Sequence, residues 1–105
     1  MPRPEFVTDK DIARWSHNID NDVNLPKELI ESPIIREVCY AGLWLREELD
    51  ELNCPDSIAL RIQYTAGQIS FGRDVWSVHQ DIIEKYKANT LIFEDDIDED
   101  KSKMN

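Results

Sequence analysis

The sequence predicts an all-α domain, built like a small four-helix bundle with one additional short helix. From Ile35 to Leu52, apolar residues recur at alternating steps of three and four, which places them along one face of a helix. Shorter stretches around Trp15 and Ile82 repeat that spacing. Residues suited to a helix N-cap precede the three stretches, namely Thr8, Ser32 and Asp74.

The length and the charge of the chain limit what it can be. With 105 residues and 41% hydrophobic residues, the chain supports one modest core, which we assign to residues 1–93. Six of the seven residues at 94–100 are acidic, so residues 94–105 are predicted to be a disordered acidic tail. The net charge of −10 and the scattered basic residues argue against binding to nucleic acid or to an anionic membrane surface.

The cysteines and the hydropathy favour a cytoplasmic location. No apolar run approaches the roughly 20 residues of a membrane span, and no apolar signal segment follows the N-terminus. Cys39 and Cys54 would lie about 22 Å apart along the predicted long helix, and a disulfide needs Cα atoms within about 7 Å. Both thiols are therefore expected to stay reduced.

Four helical segments follow from periodicity and capping. They cover residues 8–20, 24–31 (a short helix), 32–53 and 74–88. The longest is expected to be the centre of the fold, with one buried row made of Ile35, Val38, Gly42, Leu45, Leu49 and Leu52. Ala41 and Gly42 mark a point where a neighbouring helix could approach closely.

Residues 57–71 fit two structures. As a helix, the segment carries two apolar faces, because Ile58, Ile62 and Ile69 fall opposite Leu60, Tyr64 and Phe71. As a strand, its apolar and polar residues alternate, so a hairpin over residues 58–71 in an α+β fold is the alternative. We favour the helix, because the rest of the chain is helical and a lone hairpin is marginal in water.

Few residues indicate chemistry. His17 is expected on the surface and His79 half-buried, and the two histidines form no zinc-binding spacing. Cys39 is expected to be a small buried hydrophobe and Cys54 part of a turn. No catalytic residue, metal ligand or cofactor is predicted.

Two acid pairs suggest an alternative. Glu48 with Glu51, and Asp81 with Glu84, resemble the paired carboxylates of helical nucleotide pyrophosphohydrolases of the MazG kind. The resemblance implies that these four side chains would hold Mg²⁺ in a metal-dependent hydrolase, since hard cations bind clustered carboxylate oxygens.

The main prediction is a non-enzymatic protein-interaction or regulatory module, self-associating as a homodimer or binding another protein. A second alternative is an acidic inhibitor that mimics nucleic acid on a basic partner. Tyrosine, tryptophan and arginine often anchor protein interfaces. The candidate partner-binding residues are Tyr40, Trp44, Tyr64, Gln68, Phe71, Arg73, Trp76 and His79, unless the aromatic ones only complete the core.

Overall fold

The computed structural model describes residues 4–91, and these form five α-helices and no strand. The helices are α1 (Asp9–Asp20), α2 (Lys27–Ile30), α3 (Pro33–Glu51), α4 (Asp56–Ser70) and α5 (Val75–Lys87). The predicted all-α class is confirmed. The hairpin alternative is wrong, because the whole of residues 58–70 is helical. The predicted tail at 94–105 lies outside the described residues.

Of the three predicted N-cap residues, Thr8 and Asp74 accept a capping hydrogen bond with their side chains, and Ser32 does not. Thr8 closes a capping box with Asp11: its hydroxyl accepts from the Asp11 N–H, and its own N–H donates to the Asp11 carboxylate. These bonds lower the pKa of Asp11. The Asp74 carboxylate accepts from the Ser77 N–H at the start of α5. At Ser32, by contrast, the side chain makes no capping bond, and α3 starts with proline in its first turn.

The central position of α3 is confirmed, since it contacts α1, α2, α4 and α5. Its most buried residues are Ala41, Leu45 and Leu49, at steps of four. The predicted row is confirmed as buried only at Leu45 and Leu49. Ile35, Val38 and Gly42 are half-buried, Ala41 is buried in place of Gly42, and Leu52 is 40% exposed. Helix α3 stops at Glu51, and Asn53 then adopts a positive φ of 59°, which turns the chain so that Cys54 is buried beyond the helix end.

The core has two clusters of buried side chains. One joins α3, α4 and α5 through large residues such as Leu45, Leu49, Ile62, Ile82 and Ile83. The other joins α1, α3, α5 and the N-terminal segment through Val7, Trp15, Ala41, Val75 and Trp76. None of the helices within residues 4–91 is long and apolar enough to cross a bilayer.

Candidate functional site

Three tryptophans, one tyrosine and one phenylalanine meet where α1, α3, α5 and the N-terminal segment converge. Trp76 is central: its ring centroid lies 6.4 Å from Trp15, 6.2 Å from Trp44 and 6.4 Å from Phe6. Tyr40 stands 6.4 Å from Trp15. Trp76 is buried, whereas Tyr40 and Trp44 are half-buried. Three of the candidate partner-binding residues therefore belong to this aromatic cluster.

Acids of α3 hold the indole N–H groups of that cluster. Glu47 accepts from the Trp15 Nε1–H at 2.8 Å, and Glu37 accepts from the Trp76 Nε1–H at 3.1 Å. Both carboxylate oxygens of Glu47 also accept from Nη2 of Arg14, at 2.7 and 3.0 Å, while Nη1 of Arg14 pairs with Asp11 at 3.2 Å. Each bond to Glu37 or Glu47 joins a flanking helix to α3, so these acids position the aromatic cluster.

A shallow groove beside the cluster has a volume of about 340 Å³, and its lining residues are Ile12, Pro33, Arg36, Glu37, Tyr40 and Trp76. Its Arg36 donates to the Tyr40 hydroxyl at 2.6 Å and to both carboxylate oxygens of Asp20. This pairing lowers the pKa of Asp20 and raises that of Arg36. Because the polar groups of the groove bond to the chain itself, it offers a ligand mainly apolar contact.

His79 differs from its predicted half-buried position, since it is fully buried. Its Nδ1 lies 2.9 Å from the Val75 carbonyl oxygen and 3.3 Å from the Ser70 hydroxyl. Within the described part of the chain, Nε2 has no hydrogen-bond partner. A neutral ring with its proton on Nδ1 fits these contacts. Burial lowers the pKa of His79, and the bond to Val75 opposes that effect.

The burial of His79 predicts a loss of stability in mild acid. In the unfolded chain this histidine takes up a proton near pH 6.5, whereas the folded state resists protonation. The contribution of His79 to the free energy of unfolding should therefore be fully present above that pH and should be lost as the pH drops from about 6.5 through the lowered pKa. Urea unfolding between pH 7.5 and 5 measures this. The His79→Leu variant should lose less stability over the same range, and an equal loss would contradict the assignment.

The two acid pairs do not come together as the resemblance implies. Within residues 4–91, no group of three or more histidine, cysteine or acidic side chains could hold a metal ion. Asp81 pairs with Lys85 at 3.0 Å, and Glu84 pairs with Lys87 at 3.6 Å. Glu48 is half-buried and Glu51 exposed. The structure therefore provides no metal centre built from these four carboxylates.

Both cysteines are free. Cys39 is half-buried, and burial raises the pKa of its thiol. Cys54 is buried, and its thiol donates to the Pro55 carbonyl at 3.6 Å. A raised pKa disfavours the thiolate, so Cys39 has no feature of an activated nucleophile.

The outer face of α4, together with the C-cap residue Phe71 that follows the helix, exposes three large apolar side chains and one amide, and it consists of Leu60, Tyr64, Gln68 and Phe71. Leu60 is 60% exposed, Tyr64 68% and Phe71 56%. Gln68 donates to the Tyr64 hydroxyl at 2.7 Å. The opposite side of α4 enters the core through Ala59, Ile62, Ala66 and Ser70. Residues at steps of four and three share one side of a helix, so these outer side chains form one continuous row.

The structure therefore divides the predicted binding residues. Tyr64, Gln68 and Phe71 share the outer face of α4, and Arg73 is exposed two residues further on. The other four do not join them: Trp76 and His79 are interior, and Tyr40 and Trp44 lie in the aromatic cluster. Leu60 was not among the predicted residues, although its spacing of four from Tyr64 indicated it.

In the comparisons with known proteins, no family model, no curated protein and no solved structure matches this chain.

Proposed function

We propose that this protein is a non-enzymatic interaction module that binds a helix of another polypeptide chain on the outer face of α4. The observation that carries the proposal is the exposure of Leu60, Tyr64 and Phe71, each more than half exposed, along one side of a helix whose opposite side enters the core through Ala59, Ile62, Ala66 and Ser70. Large apolar side chains gathered on one surface are typical of contact sites, whereas single ones are common everywhere.

The shape of this row suits a helical partner. The row runs from residue 60 to residue 71, which is about 16 Å along the helix axis at 1.5 Å per residue. Side chains spaced by four, four and three residues form a ridge on the helix surface. Such a ridge packs into the groove between two ridges of another helix. The partner helix should therefore present apolar residues at the same three-to-four spacing.

The segment that carries this surface has no acidic residue that would oppose the approach of an apolar partner. Residues 57–73 contain no acidic residue and two arginines, although the whole chain carries 22 acids and a net charge of −10. An apolar surface of a partner can therefore approach α4 without placing an acid of this segment in a desolvated contact.

The net charge supports a second candidate, an acidic inhibitor of a basic, nucleic-acid-binding protein. Salt distinguishes the two candidates, because screening weakens binding between opposite charges but leaves apolar burial intact. For both candidates we place the protein in the cytoplasm, which is consistent with two free cysteines.

Site-specific photo-crosslinking in the native cells tests the proposal. A photoreactive phenylalanine analogue replaces Tyr64 in the full chain, and the matched control places it at Ile34 of α3, which is 63% exposed. We expect one discrete crosslinked product from position 64 and none from position 34. Equal yields at both positions, or no product from position 64, would refute the outer face of α4 as the binding surface.

A further inference from the structure

We infer that the helix bound by the outer face of α4 is α4 of a second copy, packed antiparallel across a twofold axis. This inference rests on the proposed function and names its partner. Three observations carry it: the symmetric spacing of Leu60, Tyr64, Gly67 and Phe71, a glycine that the single chain does not require, and the distribution of charge.

Four residues of α4 and its end, Leu60, Tyr64, Gly67 and Phe71, are placed symmetrically along the chain, and Gln68 of the row is not part of this symmetry. Leu60 precedes Tyr64 by four residues, and Phe71 follows Gly67 by four. A twofold axis passing between residues 65 and 66 therefore sets Leu60 against the second copy's Phe71 and Tyr64 against the second copy's Gly67. Each contact occurs twice, as an isologous interface requires. Each of the large side chains of Leu60, Tyr64 and Phe71 thus faces an apolar side chain or a glycine of the second copy.

Gly67 has no side chain and so leaves the space into which the second copy's Tyr64 packs in this arrangement. It is half-buried inside α4, where glycine is less favourable than alanine because it loses more backbone entropy on folding. A Cβ built there would meet only the Val38 Cγ1, at 3.8 Å, which is an ordinary contact. Gly72 has a positive φ, a backbone conformation that favours glycine, whereas Gly67 does not. Within one chain, alanine would fit at position 67. In the proposed dimer, the ring of the second copy's Tyr64 would occupy the space that an alanine Cβ fills.

Charge favours this side of the molecule for contact between copies. Two chains that each carry a net charge of −10 repel each other, and residues 57–73 form the segment without acids. Because salt screens repulsion, the dimer should tighten as salt rises. A complex with a basic partner would show the opposite dependence.

The area of the row predicts a weak dimer. Three partly exposed side chains remove roughly 300–400 Å² per copy from water, against about 800 Å² per partner in a standard interface. We therefore expect rapid exchange between monomer and dimer, with a dimer population that rises with protein concentration.

Sedimentation equilibrium of the purified full chain tests the inference, from about 10 μM to about 1 mM, the range in which weak interfaces are populated. The decisive variant is Gly67→Ala, and its matched control is Gly42→Ala in α3, where an added Cβ meets nothing within 4 Å. Both changes should preserve or raise the thermal stability of the monomer. Only Gly67→Ala should raise the dimer dissociation constant, by about tenfold or more.

The Tyr64→Ala variant provides a second measurement, because an exposed side chain can be removed without opening a core cavity. It too should raise the dissociation constant by about tenfold or more. A wild-type chain that stays monomeric at about 1 mM, or a dimer that neither Gly67→Ala nor Tyr64→Ala weakens, overturns the inference. If position 64 then crosslinks to a different protein in cells, the proposed function stands and only the second copy is rejected.

Discussion

Replacing Trp15 with alanine is expected to lower the free energy of unfolding by about 3–5 kcal/mol, the largest loss among the substitutions considered. The indole is buried against Trp76 and Tyr40, and the change would leave a large cavity between α1 and α3. It would also remove the N–H that donates to Glu47 at 2.8 Å. For a small domain with roughly 5–15 kcal/mol of stability, that loss approaches unfolding.

Urea unfolding followed by far-ultraviolet circular dichroism measures this effect. Trp15→Phe serves as the control, because it keeps much of the ring packing while it removes the donor to Glu47. We expect a smaller loss for Trp15→Phe, about 1–2 kcal/mol. If Trp15→Ala cost less than about 1 kcal/mol, α1 could not be fixed to α3 as the structure shows.

Leu49→Ala is expected to lower the free energy of unfolding by about 2–5 kcal/mol, and Leu52→Ala by less than about 1 kcal/mol. Leu49 is 0% exposed and packs in the cluster that joins α3, α4 and α5. Leu52 lies three residues on but is 40% exposed, after the end of α3. The two variants remove the same atoms, and the helix propensities of leucine and alanine differ by only a few tenths of a kcal/mol, so burial accounts for most of the difference in their cost.

The same unfolding measurement, made on both leucine variants in parallel, locates the end of the buried row. Similar losses for the two variants would mean that α3 continues into the core past Glu51. That result would contradict the turn formed by the positive φ of Asn53 and the burial of Cys54 behind it.

The helices could be predicted because local signals agree with the packing. The spacing of Leu45 and Leu49 and the N-cap at Thr8 both act within a few residues. The end of the α3 row could not be predicted in the same way, since nothing in the spacing of Leu52 distinguishes it from Leu49. Its exposure depends on the backbone turn at Asn53, which the apolar pattern does not record.

The 58–71 segment was ambiguous because its large residues do not show which side is buried. The buried side of α4 contains two alanines and a serine, Ala59, Ala66 and Ser70, besides Ile62. Small residues let α3 and α5 approach closely, yet they add little to a hydrophobic pattern. The sequence therefore indicated two apolar faces. The packing buries only Ile62 of one face and leaves Ile58 and Ile69 37% and 39% exposed, less than Tyr64 at 68%.

The candidate site was predictable only in part, for a related reason. Tyr64 and Phe71 follow from helical spacing once α4 is known to be a helix. Trp76 and His79 lie on α5, and their burial depends on which helices cross that one. Long-range packing of this kind is not encoded in spacing along one segment.

The N-terminal segment has a spectroscopic consequence. Phe6 rests against two indoles, with ring centroids 5.3 Å from Trp44 and 6.4 Å from Trp76, although Phe6 itself is about half exposed. If this short arm lifts away, water reaches those rings before any helix melts, and their emission should shift to the red. Intrinsic fluorescence of this protein would then report detachment of the arm separately from global denaturation.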